Sequence, residues 1–99
     1  MLILKIKQRN MWKTVEHDFG NIKAGSTIQY TFENDGSKII RETNPSCNCI
    51  SIYHKNNTLR VVWKVRDDVK ESYESFKYVY IVYQGGEMEM LTLKATLIP

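Results

Sequence analysis

From Thr27 to Glu33 the side chains alternate without interruption, with Ile28, Tyr30 and Phe32 on one side and Gln29, Thr31 and Glu33 on the other. A two-residue period of this kind belongs to a strand with one face in a core and one in water, and it excludes a helix, whose apolar stripe recurs every 3.6 residues. The period returns at residues 58–65, through Leu59, Val61, Trp63 and Val65, and at Met88–Ile98, through Leu91, Leu93, Ala95 and Leu97. Shorter extended segments fill the remainder: Leu2, Leu4 and Ile6 in phase, the aromatic and β-branched residues 11–19, residues 37–43 through Ile39 and Ile40, and residues 47–53. No stretch sustains a helical period.

Turn chemistry separates these segments. Gly20 is expected to stop the second of them, and Gly25 to sit in a turn. Asn34-Asp35-Gly36-Ser37 reads as a hairpin turn, because its central residues tolerate left-handed backbone. His54-Lys55-Asn56-Asn57 is a polar turn and Gln84-Gly85-Gly86-Glu87 a second hairpin. Residues 66–72 form a charged crossover with room for one helical turn. Seven or eight short strands at regular spacing predict an all-β fold, an immunoglobulin-like antiparallel β-sandwich spanning residues 1–99 as one domain. Trp63, Phe32 and Tyr30 are expected to fill the core position that a disulfide occupies in antibody domains.

The chain has 99 residues, 42% of them hydrophobic and 25% charged, so neither disorder nor an unusually small core is implied. No apolar run approaches the roughly 18 residues of a membrane span. Charges interrupt the apolar N-terminus at Lys5, and no small-residue cleavage site follows. The expectation is a protein without its own secretion signal, cytoplasmic or carried within a virion particle. Fourteen Lys and Arg against eleven Asp and Glu leave a charge of only +3, with no basic cluster, so a nucleic-acid partner is not expected.

Three ordered motifs carry a resemblance: Asp18-Phe19-Gly20-Asn21-Ile22-Lys23-Ala24-Gly25, then Tyr30-Thr31-Phe32-Glu33-Asn34-Asp35-Gly36, then Pro45-Ser46-Cys47-Asn48-Cys49. Together with Leu91-x-Leu93-x-Ala95 they resemble the bacterial hydin-like immunoglobulin-type domain of unknown function, whose pattern is FG-x-I-x-x-G, F-x-x-N-x-G and SCGC. Asn48 replaces the usual glycine between the cysteines, and Asn56-Asn57 replaces a proline-glycine turn. The resemblance implies an immunoglobulin-like sandwich acting as a docking module or assembly component, with no enzymatic activity and no cofactor.

Two places hold candidate functional residues. Cys47 and Cys49, the two cysteines of the chain, would project from one face of a strand about 6.6 Å apart, so a mutual bond is not expected unless Asn48 bulges. They read as structural reduced thiols, as a redox or cross-linking pair, or as half of a zinc site completed by His17 and His54. A cysteine hydrolase is not supported: His54 follows Cys49 by five residues, but no carboxylate orients it and no glycine-rich elbow is present. The other place is Tyr73–Tyr83, apolar in both frames and so expected to be covered on both sides. Either the N-terminal segment or the charged loop covers its outer frame, or Tyr78, Tyr80 and Val82 meet a protein partner, with Trp12 as a further anchor. The function these features suggest is a non-enzymatic module docking on a larger assembly, such as a virion capsid or tail decoration protein. The alternative is a thiol- or zinc-dependent module.

Overall fold

The computed structural model describes residues 11–99; the strand expected through Leu2, Leu4 and Ile6 lies outside them. Seven strands follow one another: β1 (Glu16–Lys23), β2 (Thr27–Glu33), β3 (Ile40–Pro45), β4 (Ile50–Lys55), β5 (Thr58–Lys64), β6 (Tyr73–Tyr83) and β7 (Met88–Ile98). They form two sheets, β1-β7-β6-β3 and β2-β5-β4. The all-strand expectation holds, with one correction: β1 lies parallel to β7, so pairing is not antiparallel throughout.

Local chemistry explains where the strands turn. The β6–β7 hairpin closes through the Tyr83 N–H on the Glu87 carbonyl at 2.8 Å, and the β4–β5 hairpin turns at Asn56, whose φ is 53°. Asn34-Asp35-Gly36 does not make a hairpin. Asn34 Oδ1 accepts the Gly36 N–H at 2.9 Å and Asp35 Oδ1 accepts the Ser37 N–H at 2.9 Å, so two successive side-chain turns send the chain from β2 to β3 in the opposite sheet. Gly36 has φ 73° and lies close enough to Asn57 that a Cβ would sit 3.0 Å from its Oδ1.

Gly20 does not end β1 either. It takes φ 74° inside the strand, its N–H donates to Asp18 Oδ1 at 2.8 Å, and the register with β7 shifts between Asp18 and Asn21. This is a bulge, which accommodates one extra residue and lets pairing resume beyond it. Residues 66–72 contain no helical turn, and their Val69 is buried.

The inner faces meet in one core. Phe32, Leu59, Val61 and Trp63 come from the three-stranded sheet, and Val79, Ile81, Leu91 and Leu93 from the other. Each such side chain contributes about 1.5–3 kcal/mol by leaving water. Of the aromatic trio expected from the sequence, Trp63 and Phe32 are buried, whereas Tyr30 packs against the cluster from a partly buried position.

Candidate functional site

Strand parity places Phe76, Tyr78, Tyr80 and Val82 on the outer face of β6, opposite Lys94, Thr92, Met90 and Met88 of β7. The sequence left this face either covered by the chain itself or open to a partner; Phe76 is 42% exposed, Tyr80 38%, Met90 45% and Met88 69%, and Tyr78 is half-buried. Val82 and Trp12, the other two candidate anchors, are buried at 7% and 4% and so do not present a surface. Trp12 turns inward because its indole has a partner there: Nε1–H donates to the Tyr83 hydroxyl at 2.8 Å, and the ring meets Phe32 edge-on. Methionines at positions 88 and 90, in the frame opposite to Leu91 and Leu93, were the sequence signal that this face is apolar across two strands.

The rim of this patch is acidic. Glu16 and Asp18 of β1 lie opposite Thr92 and Lys94, Glu42 of β3 lies opposite Val82, and Glu74 sits on β6 itself. Lys94, over the Phe76 ring, is engaged by Asp18 at 3.9 Å and Glu74 at 3.7 Å.

Cys47 and Cys49 are not in a strand. They occupy the turn where the chain leaves β3 for the other sheet, closed by the Ile50 N–H on the Cys47 carbonyl at 3.1 Å. The turn brings their Cα atoms to 5.2 Å, shorter than strand spacing allows, and the two sulfurs form a disulfide. This corrects the expectation of reduced, unbonded thiols; Asn48 carries the bend that an extended geometry lacks. Both cysteines are half-buried, and the Cys49 N–H points at Cys47 Sγ, 3.1 Å away. A bridge over a single residue constrains the unfolded chain weakly: the loop-entropy relation gives about 1.5 kcal/mol. Replacing both cysteines by serine is therefore expected to lower the unfolding free energy by no more than about 2 kcal/mol, measured by urea titration at unchanged m-value.

Around this turn lies a groove of about 730 Å³, lined by both cysteines with Trp63, Lys64, Tyr73 and Lys77 among its walls. It exists because β3 pairs with β6 only over Val79–Tyr83. One step beyond, Ser46 exchanges two bonds with Tyr78, its N–H donating to the Tyr78 carbonyl and its Oγ accepting the Tyr78 N–H, each at 2.9 Å. There the chain departs, leaving the first half of β6 without a neighbour on that side among the described residues. Arg66 and Asp68 at the groove mouth hold one another through a bidentate contact, with Arg66 Nη2 donating to Asp68 Oδ2 at 2.6 Å. Asp68 raises the guanidinium further above its ordinary pKa, helped by Tyr73, and Arg66 holds the Asp68 carboxyl below the usual carboxylate range.

The zinc reading fails on placement. His17 is stacked on Tyr30 at 3.8 Å between ring centres and meets Phe19 edge-on, while His54 is exposed at the far end of β4, its Nε2–H donating to the Asn56 carbonyl at 3.1 Å. Among the described residues no three His, Cys, Asp or Glu side chains converge on a point, and sulfurs bonded to one another offer no thiolate to a metal. No helix among the described residues is long and apolar enough to cross a membrane.

No protein-family model matches the chain, and no curated protein does. Among solved structures, the Vibrio cholerae VesB protease matches at a TM-score of 0.55 and 13% identity, over 91% of this chain and 32% of that one. The endo-fucoidan hydrolase MfFcnA4 from glycoside hydrolase family 107 matches at 0.54 and 7% identity, over 88% of this chain and 13% of that one. A 2,6-sialyltransferase from Photobacterium sp. JT-ISH-224 follows at 0.48 and 11% identity, over 87% of this chain and 18% of that one, a similarity that supports no argument. The chain thus spans a third or less of these structures, and the likeness is one of fold.

Proposed function

We propose that this chain is a non-enzymatic interaction module of immunoglobulin-like type that docks on a larger protein assembly through the outer face of β6 and β7. The observation that carries this reading is the exposed patch of Phe76, Tyr80, Met88 and Met90 on a sheet face that in a two-layer fold ordinarily meets water with polar side chains. The carboxylates at its edge, Glu16, Asp18, Glu42 and Glu74, outnumber the cations beside them, Arg41 and Lys94, which favours a protein surface with a basic border over the phosphates of nucleic acid.

The immunoglobulin-like assignment is supported by strand order. Pairings β2-β5-β4 and β3-β6-β7 correspond to the B-E-D and C-F-G sheets of such domains. The hydin-like resemblance points the same way. The matched regions of the VesB protease and the fucoidan hydrolase are minor parts of longer chains, as suits a fold used as a component. A virion capsid or tail is the assembly in which we expect it.

The test is co-sedimentation of the protein with high-mass particles from its native source, quantified against the most abundant particle protein. A fixed ratio is expected, reduced at least tenfold by the paired substitutions Tyr80→Glu and Met90→Lys at unchanged thermal midpoint. Recovery in the light fraction alone, or particle binding unaffected by the pair, would overturn the reading; self-association abolished by the same pair would replace the assembly with a second copy of this chain.

A further inference from the structure

The disulfide at the β3–β4 turn is an unusual staple, because the segment it spans is already held. Ser46 is fixed to Tyr78, the Ile50 N–H closes the turn on Cys47, and the Cys49 carbonyl accepts the Lys64 N–H at 2.9 Å. A covalent bond across Asn48 adds little to that restraint. Its sulfurs also lie where a reactive pair would be placed, half-buried on the wall of the groove and outside the fully buried core.

We propose that Cys47–Cys49 is a thiol–disulfide exchange site, at which a partner thiol attacks Cys49 Sγ and Cys47 departs as the thiolate. The asymmetry between the sulfurs comes from the main chain. The Cys49 N–H, 3.1 Å from Cys47 Sγ, is positioned to donate to negative charge on that sulfur, and no corresponding donor faces Cys49 Sγ among the described residues. Hydrogen bonding to the charged form lowers a thiol's pKa, and in exchange the sulfur of lower pKa leaves faster. The groove supplies the approach. Lys64 and Lys77 line it without a carboxylate partner among the described residues, Lys77 standing 5.9 Å over the Trp63 ring. On the same wall Arg66 and Asp68 neutralise each other, leaving Asp67 as the acid against two lysines, so the field favours an incoming thiolate.

In the first step the partner's sulfur, having given its proton to solvent, bonds to Cys49 Sγ; the Cys47–Cys49 bond breaks, and its electron pair remains on Cys47 Sγ. When the partner carries a second thiol, that thiol attacks the partner's own sulfur in the mixed disulfide and releases Cys49. The partner dithiol is then oxidised by two electrons to a disulfide and the pair is reduced to two thiols. A second, more oxidising disulfide restores the pair by the reverse exchange. This inference does not rest on the docking face, which lies on the outer side of β6 and β7.

The test uses the native, oxidised chain and reduced glutathione as the probe. Rapid-quench mass spectrometry is expected to show a mixed disulfide with at least tenfold more adduct on Cys49 than on Cys47. In the single variant Cys49→Ser, which retains the backbone donor, the remaining thiol is expected to alkylate with a pH midpoint at least about one unit below the ordinary value near 8.5; in Cys47→Ser the midpoint stays ordinary. Lys64→Gln with Lys77→Gln slows glutathione attack several-fold at unchanged thermal midpoint. A disulfide that resists excess glutathione until the protein unfolds, or adducts shared equally between the sulfurs, would overturn the proposal. Loss of the particle association tested above leaves this result untouched.

Discussion

Trp63→Ala is expected to remove about 3–5 kcal/mol of unfolding free energy. That is a large share of the roughly 5–15 kcal/mol that a domain of this size possesses. Trp63 stands one residue from the end of β5, the middle strand of its sheet, opposite Ile28 on one side and Ile50 on the other. Its ring is 1% exposed and reaches across the core to Phe19 of β1, 6.3 Å away between ring centres at 70°, with Lys77 of β6 above it. Truncation opens a cavity facing both sheets, and the residues around it belong to paired strands that cannot collapse inward without losing register. Guanidinium titration checks this, with two comparisons that fix the cause. Trp63→Phe keeps an aromatic ring in place and should recover most of the loss. Phe76→Ser, on the exposed face, should stay within about 0.5 kcal/mol of the native protein.

The second large effect is expected at Tyr83. Its hydroxyl accepts from Trp12 Nε1 at 2.8 Å and donates to Glu89 Oε1, linking the residues before β1 to β7 through the end of β6. Tyr83→Phe removes the acceptor of one bond and the donor of another inside a closed site. The loss should be about 1–3 kcal/mol at neutral pH. Burial, and then the bond to Glu89, push the Tyr83 hydroxyl well above the ordinary tyrosine range. Because the folded value is the higher one, this stabilisation is complete below the unfolded pKa near 10 and is lost as pH rises above it. The native protein should therefore lose stability between neutral pH and pH 11 more steeply than Tyr83→Phe does, measured by thermal melts across that range. Parallel curves would show that the hydroxyl is not coupled to the fold.

The parts of this architecture that follow from short-range pattern were legible in the sequence. β2 and β7 run over Thr27–Glu33 and Met88–Ile98 as their alternation predicts, because side-chain period reports directly which face is buried, and β6 covers the run Tyr73–Tyr83 that is apolar in both frames. Period does not report which strand lies alongside. Asp35-Gly36 has the local chemistry of a hairpin, yet it joins strands of different sheets, since the Asn34 and Asp35 carboxamide and carboxylate capture the turn's N–H groups. Gly20 looks like a terminator and is a bulge, because the pairing that resumes at Asn21 is with a strand more than 70 residues away.

The candidate residues divide along the same line. Tyr80, Tyr78 and Val82 were found by an apolar frame where a polar one belongs, but Val82 is covered on that face, and Trp12, which shares their chemistry, is interior. Trp12 lies in an irregular segment with no phase to read, so only its partner Tyr83 fixes its direction. The cysteine pair was read with extended-strand geometry, which keeps the sulfurs apart; a single turn residue reverses that conclusion. Lys64 comes beside the disulfide through the pairing of β5 with β4, and Lys77 only when β6 faces β5 across the groove.

The parallel pairing of β1 with β7 gives the molecule a direction in which it resists force. Glu16, where β1 begins, lies beside Thr92, and Lys23, where β1 ends, lies beside Ile98 near the C-terminus. Tension pulling the start of β1 away from the end of β7 drives two parallel strands along each other in opposite senses. Their hydrogen bonds then lie across the line of pull and share the strain together, whereas peeling would break them one after another. A unit joined to its neighbours through those two points would transmit tension along the strand axis while keeping its sheet face unchanged.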